Sequence, residues 1–83
     1  MIKITGKIVL RKSDFYILQA QNSDCIIIES VDELEIGDVI SWNDYEEFYN
    51  LTQDCEISAI DQTALHGMMS LQNAKNLLVS WNV

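Results

Sequence analysis

The sequence predicts a mainly β protein, a small five-stranded barrel with one α-helix at its C-terminal end. Three observations carry that expectation. Short stretches alternate apolar and polar residues with period two, brief clusters of turn residues separate them, and one helical stripe of apolar residues follows the last. The 83 residues make a single domain, 1–83, small but able to close one core. Apolar residues form 48% and charged residues 22%, with no proline and three glycines, which is a globular balance rather than a disordered one.

Residues 2–11 give the first strand. Ile2, Ile4, Ile8 and Leu10 share one face, and Lys3, Thr5, Lys7, Val9 and Arg11 share the other. Gly6 interrupts the apolar face, where a small barrel commonly bends or bulges. Residues 12–14 turn the chain into a second strand, 15–20, with Phe15 and Ile17 opposed to Tyr16 and Leu18. The polar turn 21–24 makes a hairpin into a third strand, 25–30. Its run Cys25-Ile26-Ile27-Ile28 has no polar face before Glu29, so it predicts burial on both sides and a cover outside the barrel.

Residues 31–34 cross over in too few residues for a well-formed helix. The stretch 34–42, L-E-I-G-D-V-I-S-W, then organises the rest of the chain. Gly37 can take a positive φ and Asp38 can bond nearby backbone, so the pair reads as a tight turn into a fourth strand, 38–43. Residues 43–50 read as a loop mixing carboxylates with Tyr45, Phe48 and Tyr49. Residues 51–53 carry no clear signal. A fifth strand follows at 54–60, with Cys55, Ile57 and Ala59 facing one way and Glu56, Ser58 and Ile60 the other. Residues 61–69 are a connector with room for one helical turn stopped by Gly67. Ser70 caps a helix from Leu71 to about Val79. Leu71, Ala74, Leu77 and Leu78 form its apolar stripe, the expected cover for the third strand. Trp81-Asn82-Val83 either continues the helix or tucks back.

Charge divides the chain. Residues 1–12 hold Lys3, Lys7, Arg11 and Lys12 and no acid; residues 13–61 hold all thirteen carboxylates and no Lys or Arg; residues 62–83 add Lys75 alone. A basic first strand is thus attached to an acidic body. Pairing of that strand with acidic neighbours and simple solubility explain the pattern, and a functional acidic face is the sharper alternative.

Residues that could carry chemistry are few. His66 is the single histidine, so histidine metal sites and histidine triads lack partners. Cys25 and Cys55 sit on predicted strands among apolar neighbours and read as reduced core residues rather than nucleophiles. Asp32, Glu33, Glu35 and Asp38 fit no EF-hand spacing and read as a solvated acidic turn. No glycine-rich phosphate loop is present. The expectation is a non-catalytic protein without cofactor or metal. The opening M-I-K-I-T-G-K-I-V-L interrupts its apolar residues with two lysines, unlike a signal peptide or a membrane span, so a cytoplasmic location is expected. Asn50-Leu51-Thr52 matches the glycosylation pattern, which carries no meaning without export.

The five strands and the coiled first half resemble an OB-fold, with an SH3-like barrel as the competing topology. OB-folds usually place a helix between strands three and four, and eight residues are too few for one here, so the helix has moved to the end or been lost. L-E-I-G-D-V-I, Y-N-L-T and S-L-Q-N-A-K-N-L-L are also similar to short uncharacterised bacterial proteins across residues 34–78. Those motifs imply no particular chemistry.

Two kinds of binding remain. An OB-like barrel implies single-stranded nucleic acid held by aromatics on a basic groove. Tyr16, Trp42, Tyr45, Phe48 and Tyr49 all fall in the segment without a cation, however, and that acidity opposes phosphate. A protein partner suits the surface better, with Trp42, Asp44, Tyr45, Glu46, Glu47, Phe48 and Tyr49 as the candidate binding residues. Phe48 and Tyr49 could equally plug one end of the barrel. A third reading is an acidic nucleic-acid mimic that blocks a basic cleft on another protein. No nucleic acid and no membrane are expected as partners.

Overall fold

The alternation of residues 2–11 becomes β1 (Ile4–Lys12), the centre of one antiparallel sheet in the computed structural model, which describes residues 3–81. The expectations for Ile2, Asn82 and Val83 lie outside the described residues. β1 pairs on one side with β2 (Phe15–Ala20), which pairs with β3 (Cys25–Ser30). On its other side β1 receives β4 (Val39–Trp42). The order β4-β1-β2-β3 is a Greek key. Beyond β4 lie β5 (Phe48–Asn50) and β6 (Cys55–Ile57), while β7 (Ala59–Asp61) pairs with β3 at the opposite end of the sheet.

Among the described residues seven strands thus replace the five expected. The predicted fifth strand breaks at Ser58 into β6 and β7, which pair with opposite ends of the sheet. That one residue brings the sheet back on itself as a nearly closed barrel. Its peptide groups are held by side chains rather than by a ladder: Ser30 Oγ donates to the Ser58 carbonyl at 2.7 Å, and Asp32 Oδ2 accepts from the Ser58 N–H at 2.7 Å. The second added strand, β5, lies inside the expected loop 43–50. Phe48, Tyr49 and Asn50 alternate in, out and in against β4, so burying Phe48 and Asn50 favours strand over loop.

The interior is filled by Ile8, Tyr16, Leu18, Ile26, Ile28, Ile40, Trp42, Phe48 and Ile57, with smaller neighbours. Gly6 is not the bulge. The register shift lies between Ile8 and Leu10, so Leu10 turns from the interior to the outer face, opposite Ile17. Gly6 serves close approach instead: a Cβ there would sit 2.7 Å from the Gln19 carbonyl oxygen and 3.0 Å from the Trp42 ring. Gly37 does take the expected positive φ, +95°.

The second apolar cluster confirms the cover expected for the third strand. Helix α1 (Leu71–Ser80) lays Ala74 and Leu78, both fully buried, on Ile17, Cys25 and Ile27. Ser70 Oγ accepts from the Asn73 N–H at 3.2 Å, the N-cap bond that the sequence anticipates. At the other end Lys12 Nζ donates to the carbonyls of Leu78 and Trp81, satisfying orphan acceptors with a cation at the negative end of the helix dipole. Trp81 packs on Phe15, ring centroids 5.2 Å apart. Among the described residues no helix is long and apolar enough to cross a membrane.

Residues 62–69 form turns rather than a helix and cover the edge of β3. Gln62 N–H donates to the Ile27 carbonyl, Thr63 Oγ1 accepts from the Ile27 N–H, and Met69 exchanges both backbone bonds with Cys25. Cys25 is buried as expected, and apolar burial pushes its thiol above the ordinary value. Cys55 is exposed instead. It begins the short β6, where Ile57 is the residue that reaches the core.

Candidate interaction surface

The β4–β5 hairpin turns on one side chain. Asn43 Oδ1 accepts from the N–H groups of Tyr45 and Glu47, while its Nδ2 donates to Glu47 Oε1 at 2.8 Å. Asparagine suits this position because its short amide mimics a backbone turn. Glu46 takes a left-handed φ of +56° and reaches across to the seam, where its Oε1 accepts from the Asp61 N–H at 2.8 Å. The turn is therefore tied to β7 rather than hanging free.

This geometry separates the seven candidate residues. Trp42 and Phe48 lie in the core, their rings stacked at 6.3 Å between centroids, so they plug one end of the barrel. Tyr49 is half-buried on the outer face, where it donates to Asp54 Oδ1 at 2.5 Å; that bond raises the phenol above its ordinary value. Asp44, Tyr45, Glu46 and Glu47 are exposed, Tyr45 by 73%.

The exposed acids belong to a larger feature. An open groove of about 980 Å³ runs beside the seam, with Asp14, Glu29, Glu46, Glu47 and Glu56 along it and Lys3 as its single basic residue. Val31 and Ile60, 85% and 59% exposed, add apolar surface to its walls. Sequence reasoning missed Asp14, Glu29, Val31, Glu56 and Ile60. They come from three separate stretches, and strand order alone brings them together. Ile60 carried a faint signal, as an isoleucine on the side of its strand shared with Glu56 and Ser58.

The basic strand offers less free charge than its composition suggests. Arg11 makes a bidentate ion pair with Glu33, at 2.8 and 3.2 Å, and lies over the Tyr16 ring at 5.2 Å. The guanidinium holds the Glu33 carboxyl below the ordinary carboxylate range, chiefly through those hydrogen bonds. Lys12 is engaged by the helix terminus, leaving Lys3 and Lys7 exposed. Among the described residues no three His, Cys, Asp or Glu side chains are grouped to hold a metal ion, and His66 is exposed in the connector. Comparisons with protein-family models, with curated proteins and with solved structures find no match to this chain.

Proposed function

We propose that the domain is a non-catalytic binding module that holds a basic segment of another protein in the acidic groove. The observation that carries this reading is the groove's composition, five carboxylates and one lysine beside exposed Val31 and Ile60. Carboxylates at the rim attract and orient cationic side chains, and the aliphatic surface accepts their stems and any apolar neighbours. A peptide supplies both kinds of contact. Binding by strand addition at the seam is disfavoured, since the N–H groups of Ser58 and Asp61 are already taken by Asp32 and Glu46.

The test is fluorescence anisotropy with a labelled oligolysine or oligoarginine peptide across a salt series. Glu29→Lys with Glu56→Lys reverses charge on β3 and on β6. Glu29 Oε1 accepts from the exposed Gln62 side chain at 2.8 Å and neither carboxylate bonds to backbone among the described residues, so the loss of stability should not exceed about 1.5 kcal/mol. Affinity should fall about tenfold or more, with weaker binding as salt rises. Equal affinity for the reversed and native proteins would remove the groove as the site.

A further inference from the structure

The two edges of β3 are held in different ways. Toward β2 it makes a regular ladder, with Ile26 and Ile28 opposite Leu18 and Tyr16, in step with the Ser30 N–H that donates to the Asp14 carbonyl. On the other edge β7 pairs only with Ile28 to Ser30. Before that point the backbone of Cys25 and Ile27 is held by the turns of residues 62–69. Met69 exchanges both backbone bonds with Cys25, and the Gln62 N–H donates to the Ile27 carbonyl. The Ile27 N–H is left to a hydroxyl, Thr63 Oγ1, at 3.2 Å.

These turns bury little. Thr63 is their one buried residue, Met68 and Met69 are half-buried, and Leu65 stands wholly in solvent. Each end is anchored by contacts of its own. β7 pairs with β3, and α1 is capped by Ser70 and seated through Ala74 and Leu78. A segment with few apolar contacts between two fixed points opens at lower free energy than the domain as a whole. We propose that residues 62–69 are a strap that opens locally, with β7 and α1 in place, and so gates the edge of β3. Thr63 is its latch, since the hydroxyl that accepts from Ile27 also donates to Asp61 Oδ1 at 2.7 Å. Closed, the strap masks a strand whose run Cys25-Ile26-Ile27-Ile28 holds no charge. Open, it bares the N–H and C=O groups of Cys25 and Ile27, an edge on which an extended segment pairs.

Alternate amides of one strand therefore report two different openings, and amide hydrogen exchange followed by NMR reads them separately. Cys25 and Ile27 should exchange through the strap, roughly tenfold or more faster than Ile26 and Ile28, which wait for global unfolding. Two variants test this. Gly67 has a φ of +70° and open space where a Cβ would lie, so Gly67→Ala strains the closed strap and nothing else. It should speed exchange at Cys25 and Ile27 by roughly fivefold. Ile8 packs in the barrel interior beside the Gly37–Asp38 turn. Ile8→Val should speed Ile26 and Ile28 by roughly fivefold and leave Cys25 and Ile27 at their native rates. If Ile8→Val speeds all four amides alike, the strap opens only with the whole barrel and there is no gate. If Gly67→Ala leaves Cys25 and Ile27 unchanged, their exchange does not pass through the strap, and the proposal is equally overturned.

Discussion

Asn50 Nδ2 donates to Asp38 Oδ2 at 2.9 Å, and both residues are buried. The same carboxylate oxygen accepts from the Glu35 N–H, and Asn50 Oδ1 accepts from the Gln53 N–H. Two turns distant in sequence, 35–38 and 50–53, are thereby locked to each other. The Gly37–Asp38 turn is docked in turn on β1 through backbone bonds with Ile8 in both directions. The relationship also decides the Asn50-Leu51-Thr52 pattern: the amide that a glycan would need is fully buried and engaged.

Asn50→Ala should therefore lower unfolding free energy by about 1–3 kcal/mol, the usual cost of leaving a buried polar partner unsatisfied. Urea denaturation measures it. Asn50→Asp should be worse at neutral pH, because it sets a second carboxylate against Asp38 in a buried site. A loss no larger than that of an exposed substitution would mean that the Asp38–Asn50 bond does not brace the turns.

The helix is the next test. Leu78→Ala should cost about 2–5 kcal/mol, since Leu78 is fully buried against Ile17 and Ile27. Truncation after Gly67 removes the same cover and also the Met69 bonds to Cys25, exposing Cys25 and Ile27 together. Such a protein should aggregate. A soluble truncation as stable as the full chain would show that the helix is an appendage.

Arg11 and Glu33 give a pH prediction. Because folding lowers the Glu33 value, the pair's stabilisation is present above the ordinary glutamate value, near 4.3, and is lost as pH falls through the lower folded value. Both side chains are well exposed, so the effect on stability is small and is best read at the residue itself. Carbon NMR titration should find Glu33 below the ordinary value and restored to it by Arg11→Gln. No change on removing Arg11 would refute the assignment.

The parts of the fold readable in the sequence were those governed by local pattern. Period-two alternation located β1, polar turns on either side bounded β2 and β3, the two-sided apolar run from Cys25 to Ile28 demanded a cover, and Ser70 announced the helix that supplies it. What escaped depends on pairing over distance. β5 has three residues beside an acidic turn, too short to show a period, and becomes a strand only because Trp42 offers Phe48 a partner. The bulge falls at Val9 rather than Gly6 because it reconciles two clusters, with Ile8 facing the interior and Leu10 the helix. Cys55 reads as core by alternation, yet β6 reaches the interior only at Ile57. The groove escaped for the same reason, since Asp14, Glu29 and Glu56 are neighbours only after the barrel closes.

The final prediction is that single-stranded nucleic acid does not bind. Lys3 and the three cations on β1 could have formed a phosphate track, but two of the four are engaged. Arg11 is paired with Glu33, and Lys12 is bonded to the carbonyls at the end of α1. Lys3 stands beside the five groove carboxylates, so phosphate approaching it meets net repulsion. Stacking offers no compensation, because Trp42 and Phe48 lie in the core and Tyr49 is tied to Asp54. Tyr45 alone projects a free ring, from a turn flanked by Asp44, Glu46 and Glu47. Anisotropy with single-stranded oligonucleotides at low ionic strength is the sensitive assay, since low salt exaggerates any attraction to phosphate. No binding should be seen at micromolar protein. Micromolar affinity that disappears on Lys3→Ala with Lys7→Ala would instead make β1 a nucleic-acid site and turn the acidic groove into the bystander.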